Sequence, residues 1–199
     1  MHAIVENDEV KQIITNPKSL IINDVRYPAK IFQLWSKSEK EAIGIYEIVV
    51  DKTNYKDTEY YINTNSTYTF ADGQVTESWG TATSKELEDR NATDENGVEL
   101  DPVVVIEGLK SQKKNIVKQQ ASGLLAPTDW HVIKATEVAD YNVPENITTF
   151  RADVRAKSNE METQIDACTN VDELKALYEY TKQEDGTITR PLAEFPEEV

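Results

Sequence analysis

A single cysteine, Cys168, stands in a chain of 199 residues, which excludes an intrachain disulfide framework. It falls in a segment of helical pattern and reads as a buried structural thiol. Histidine is nearly as scarce, with only His2 and His131. Neither forms a Cys–His catalytic pattern or a zinc-ligand spacing. Basic residues are in deficit: 21 Lys+Arg face 36 Asp+Glu, a formal net charge of −15. That balance opposes general binding to nucleic acid or to an anionic membrane. No apolar run approaches the length of a membrane span, and no signal-peptide pattern opens the chain. The three Asn-x-Ser/Thr sequons, at Asn65, Asn91 and Asn146, therefore read as chance. Phosphate-loop, dinucleotide and hydrolase-elbow patterns are missing too, so no cofactor is expected.

Hydrophobic residues make up 39% of the chain, enough for a core. Their spacing predicts an α+β protein: a small antiparallel β-rich region first, then an antiparallel helical hairpin with short extra helices. The expected divisions are a β-rich domain over 1–82, an acidic linker over 83–102, a helical module over 103–180 and an extended acidic tail over 181–199.

In the first region, Ala3-Ile4-Val5 and Val10 to Ile14 read as strands, and residues 20–27 as a second small hairpin through Asn23-Asp24. Ser36 and Glu39 have the spacing of a capping box, and Gly44 suits the end of that short helix. Residues 45–50 read as a strand. Asp72-Gly73 marks a tight hairpin between Thr67-Tyr68-Thr69-Phe70 and the strand ending at Trp79, because both residues tolerate positive φ. The sheet leaves edges for a partner or a second copy, so a homo-oligomer is one expectation. Tyr27, Phe32 and Trp35 read as an aromatic mini-core, with a ligand cage as the weaker alternative. Residues 84–88 are expected to start a short helix. The carboxylates Asp94, Glu95, Glu99 and Asp101 lack the calcium-loop spacing and read as a solvated excursion.

From Val103 the period lengthens. Val105, Leu109, Gln112, Ile116, Gln119 or Gln120 and Leu124 mark one helix face, widened by Val117 and Ala121; Lys110, Lys113, Lys114 and Lys118 fall on the opposite, solvated side. Gly123 and Pro127 should end that helix, Thr128 should cap the next through its backbone, and Trp130 should cover the corner with Val132 and Ile133. A long helix follows Pro144, with Ile147, Phe150 or Arg151, Val154, Met161 and Ile165 on its inner face. Asn170 and Glu173 repeat the cap pattern before Leu174, Leu177 and Tyr178. Residues 191–196 read as an extended anchor. His131, beside Asp129, is the best local candidate for a polar site, but lacks a partner motif and reads as a corner residue. The bare residues thus favour an interaction or structural protein over an enzyme, with no catalytic or metal-binding residues expected.

The run Gly123-Leu124-Leu125-Ala126-Pro127-Thr128-Asp129-Trp130-His131-Val132-Ile133-Lys134 resembles C-terminal modules of tailed-bacteriophage tail-fibre assembly and virion proteins. Thr149-Phe150-Arg151-Ala152-Asp153-Val154-Arg155-Ala156 and the closing segment from Ile165 to Tyr178 are similar to the same module. The front end, from Ile31-Phe32-Gln33-Leu34-Trp35-Ser36 to Gly44-Ile45-Tyr46, is also similar to such proteins. The resemblance implies a non-enzymatic assembly chaperone, or a structural component bound to a fibre or baseplate subunit. It implies a place in the host cytoplasm during assembly, or retention in the virion tail. A fixed virion adaptor is the alternative, and a small enzyme with a pocket near His131 the remotest. Residues expected to meet the partner are Trp35, Trp79, Leu124, Leu125 and Trp130.

Overall fold

The structure, a computed structural model, describes residues 1–197. It divides into two compact units, Met1–Thr83 and a second beginning at Ser84. As expected, the protein is α+β, with strands concentrated in the first unit and helices in the second.

The first unit contains β1 (His2–Glu6), β2 (Glu9–Ile14), β3 (Leu20–Ile22), β4 (Val25–Tyr27), α1 (Ile31–Leu34), α2 (Lys37–Glu41), β5 (Ile45–Val50), β6 (Tyr61–Ile62), β7 (Ser66–Ala71) and β8 (Gln74–Trp79). Five strands form a sheet in the order β2-β1-β5-β8-β7. Asn7-Asp8, Asn23-Asp24 and Asp72-Gly73 all adopt positive φ, as two-residue hairpin turns require. The capping box at Ser36 and Glu39 is complete in both directions. Gly44 has φ +83°, and a Cβ there would lie 2.7 Å from the Val5 carbonyl oxygen, so the turn into β5 admits only glycine.

The sheet departs from the expected antiparallel form at one place: β5 and β8 run parallel. Strand direction still alternates along the chain from β5 through β7 to β8. The spatial order does not follow, because β8 takes the inner position. It carries fully buried Val75 and buried Glu77, whereas β7 alternates half-buried and exposed residues and suits an edge. Glu77 is satisfied across the hairpin by the Tyr68 hydroxyl, 2.9 Å away. The edges β2 and β7 curl toward each other. β1 is buried on both faces. Ile4 joins Ile14, Leu20, Ile22, Ile31 and Ile45 on one side, while Ala3 and Val5 pack with Val75 on the other.

After β9 (Thr83–Ser84), the second unit contains β10 (Arg90–Asn91), β11 (Val105–Ile106), α3 (Leu109–Leu125), a 3-10 turn (Ala126–Thr128), α4 (Asp129–Glu137), α5 (Glu145–Ala167), α6 (Val171–Ala176), β12 (Thr181–Lys182) and β13 (Ile188–Thr189). α3 and α5 are antiparallel: Lys114 reaches Asp166 at 2.7 Å, Lys118 reaches Glu162 at 3.4 Å, and Arg151 reaches the Leu125 carbonyl at 3.0 Å. The buried face of α5 is Ile147, Phe150, Arg151, Val154, Ser158, Met161 and Ile165, matching the sequence pattern position by position. Leu174 is fully buried on α6, and Asn170 accepts the Glu173 N–H.

The expected start and face of α3 are corrected. The helix begins at Leu109, and Val105 belongs to a strand. The face turned inward is Leu109, Lys110, Lys113, Val117 and Ala121, while Ile116 is exposed. Lysine stems replace aliphatic residues on that face. Lys113 lies over the Tyr178 ring at 4.3 Å and Lys110 pairs with Glu88. The short helix expected at 84–88 does not form. Gly108 explains this locally: a Cβ there would come within 2.4 Å of the Glu88 carbonyl, so residues 87–88 lie flat against the start of α3. The acidic stretch is an ordered ribbon, with β10 paired to β11 and a turn closed on the Asp94 carboxylate by the Asn96 and Val98 N–H groups. Residues 191–195 form the expected anchor, with Leu192 buried. The rest of the expected tail, 198–199, lies outside the described residues.

Candidate functional site

The helical corner Gly123-Leu124-Leu125-Ala126-Pro127-Thr128-Asp129-Trp130 keeps its helical path through the expected breakers. Gly123 lies inside α3 with open space around it, and Pro127 sits in the first turn of the 3-10 segment, where its missing N–H costs nothing. Thr128 is the N-cap residue of α4, as expected, and its side chain makes no capping bond there. Its hydroxyl donates to the Leu125 carbonyl at 2.8 Å, tying the corner backward.

The group that closes the corner comes from α5. Arg151 is buried, and its guanidinium donates to the Leu125 carbonyl at 3.0 Å and to the Thr128 hydroxyl at 2.5 Å. The same guanidinium pairs with Asp129 at 2.8 Å. One planar cation therefore satisfies the end of α3 and holds the first-turn carboxylate of α4. Sequence reasoning left Phe150 and Arg151 as alternatives for one position; both are buried. The available signal was an arginine in phase with an apolar stripe.

Below the corner, Leu124 and Leu125 are half-buried against Ala121, Phe150 and Val154, together with Phe195. These two leucines are largely committed to the unit's own core. Trp35 packs edge-on to Tyr27 at 5.7 Å over the isoleucine cluster of the first unit, so Tyr27, Phe32 and Trp35 act as the expected mini-core. Trp79 is half-buried beside Tyr55, with ring centroids 5.1 Å apart.

Trp130 behaves differently. It is 51% exposed, and Val132 and Ile133 are 41% and 56% exposed, which overturns the expectation that they cover the corner. No residue of α4 is buried. The Arg151 clamp holds the start of α4 through Asp129, and beyond it the helix buries no side chain. Trp130 stacks on His131, with centroids 3.7 Å apart, and Lys134 lies over both Trp130 and Tyr141. His131 shares a hydrogen bond with the Tyr141 hydroxyl. The arrangement orders an aromatic face around His131.

Ionisation in this unit follows its hydrogen bonds. Asp89 is held below the usual aspartate range, first by the Gly108 N–H and then by the Ser111 hydroxyl. Glu173 is held low by the Thr169 N–H and hydroxyl. Lys114 is raised by its bond to Asp166. Burial pushes the Cys168 thiol up, away from the thiolate. Among the described residues, no group of three His, Cys, Asp or Glu side chains is placed to hold a metal ion, and no helix is long and apolar enough to cross a membrane. No family model, curated protein or solved structure matches the chain.

Proposed function

We propose that this protein is a non-enzymatic phage tail-fibre-associated protein, an assembly chaperone or a structural component bound to a fibre or baseplate subunit. The observation that carries the reading is α4, a nine-residue helix with no buried residue and with Trp130, Val132 and Ile133 in solvent. A helix this short is marginal in water by itself. Here the Arg151 clamp presets it, so a partner that covers it meets an ordered surface and avoids much of the entropic cost of ordering. Tryptophan is the side chain most enriched at interface hot spots, and its large ring supplies area at little conformational cost. The sequence resemblance supplies the class of partner, and the net charge of −15 favours a partner surface with basic groups.

The protein acts in the host cytoplasm during assembly, with retention in the virion tail as the structural variant of the same role. Affinity capture of the tagged full chain from phage-infected cells tests the reading. The expected result is recovery of a fibre or baseplate subunit, lost in Trp130→Ala. Recovery of neither subunit, or equal recovery by the variant, overturns it. Stoichiometric presence in purified virions separates the structural component from the chaperone.

A further inference from the structure

The ribbon formed by β10 and β11 carries a second surface, independent of α4 and of the fibre reading. Val103, Val104, Val105 and Ile106 follow one another without a polar residue, and they are 59%, 49%, 55% and 40% exposed. Successive strand residues point to opposite faces, so both faces of this strand are apolar and both are open. A half-covered strand alternates apolar and polar residues; an unbroken branched run is the pattern of a strand inside a sheet. Among the described residues, however, β11 pairs only with β10.

The register shows what the open edge offers. Arg90 faces Ile106 and Asn91 faces Val105, and the Ala92 N–H donates to the Val104 carbonyl at 2.7 Å. In an antiparallel ladder, hydrogen-bonded and non-bonded pairs alternate. The Val104 carbonyl and Ile106 thus face β10, while Val105 directs its peptide group outward; Val103, just before β11, falls in the same phase as Val105. Usual protections of an edge are an inward charge, a lysine or a proline within the strand. This run has none; Pro102 only precedes it.

Charge decides the occupant. Residues 89–107 carry six carboxylates, Asp89, Asp94, Glu95, Glu99, Asp101 and Glu107, against the single guanidinium of Arg90. Pairing two copies of β11 would bring two such acidic ribbons within about a Debye length, roughly 8 Å in physiological salt. A strand with basic flanks meets the apolar run and neutralises its rim together.

We propose that β11 is a docking edge for an extended segment of another protein, a strand of branched apolar residues flanked by lysine or arginine. The segment adds alongside β11, takes the outward peptide groups of Val103 and Val105, and covers both apolar faces with alternate side chains.

The test uses the isotopically labelled full chain and a synthetic peptide alternating valine and threonine between lysine pairs. Its twin carries glutamate pairs. Expected results are amide shifts confined to residues 89–107, slowed hydrogen exchange at Val103 and Val105, and about tenfold tighter binding of the lysine peptide at low salt, a difference that shrinks as salt rises. Val105→Pro removes only an outward N–H and leaves the β10 ladder in place. It should abolish binding while the α3 and α5 amides stay unshifted. Equal binding of both peptides, no shifts in the ribbon, or unimpaired binding by Val105→Pro overturns the proposal. So does a doubled molecular mass without peptide, with Val103 and Val105 already protected, which would make a second copy the occupant.

Discussion

The helices α4 and α5 share one unit and a similar kind of residue, yet one buries its apolar side chains and the other does not. α5 places a buried residue every third or fourth position from Ile147 to Ile165, with Val154 and Ile165 fully inaccessible. α4 carries Trp130, Val132 and Ile133 and buries none of them. The difference is phase and support. The apolar positions of α5 form one stripe that α3 and α6 can cover. On α4, Trp130 and Ile133 share one face and Val132 lies on another, and the short helix is held by Arg151 at Asp129 and by Tyr141 at His131, with no helix packed over its apolar residues among the described residues. Apolar residues in α5 therefore hold the fold, while those in α4 are surplus to it.

The sharpest way to test that contrast is truncation within the α5 stripe. Ile165→Ala should destabilise the second unit by about 3 kcal/mol, through lost burial and the cavity left behind; urea denaturation measures it. Arg151→Met comes next. It removes the donors to Leu125 and Thr128 and leaves Asp129 without its cation, at a cost of about 2 kcal/mol. Hydrogen exchange should open first in α4, and an α4 that stays protected in this variant would refute the clamp.

A pH effect in the first unit is smaller, and it asks whether buried cations there work as Arg151 does. Lys40 is buried, bonds Glu47 at 2.8 Å and lies 3.3 Å from the His2 Nε2. The His2 pKa is lowered, first by burial and then by repulsion from Lys40. The unfolded chain takes up the His2 proton before the folded one, so the stability is present above the ordinary histidine value and lost as pH falls toward the lowered one. Thermal melts between about pH 7.5 and pH 5.5 should show a falling Tm, and His2→Gln should flatten that slope. The smallest expected effect is at α4: Trp130→Ala should change stability by no more than about 0.5 kcal/mol. A loss comparable to that of Ile165→Ala would place Trp130 in the fold and remove the contrast.

Legibility in the sequence followed the same division. The inner face of α5, the Ser36 capping box, the Asp72-Gly73 turn and the Asn170 cap were readable because local spacing determines them. The face of α3 was misplaced because Lys110 and Lys113 occupy inward positions, and a lysine stem is invisible to a pattern that scores lysine as polar. The parallel pairing of β5 and β8 escaped because order in a sheet is decided by long-range burial. The exposure of Trp130 escaped because it depends on how α4 meets the rest of its unit, which local spacing does not specify. Of the residues expected to meet a partner, Trp130 alone stands mainly in solvent; Leu124, Leu125, Trp35 and Trp79 are half-buried in or beside packing within their own units.

Gln164 is the middle of a latch. Its side-chain amide donates to the Pro191 carbonyl at 3.1 Å and accepts from the Ala193 N–H at 2.9 Å, while the Leu192 N–H reaches the Leu177 carbonyl at 3.0 Å. Tension applied to this strap would therefore pass straight into α5 through Gln164, and to the end of α6 through the Leu177 carbonyl. The strap is thus a load path: whatever pulls on residues 191–193 pulls on α5 and α6 together.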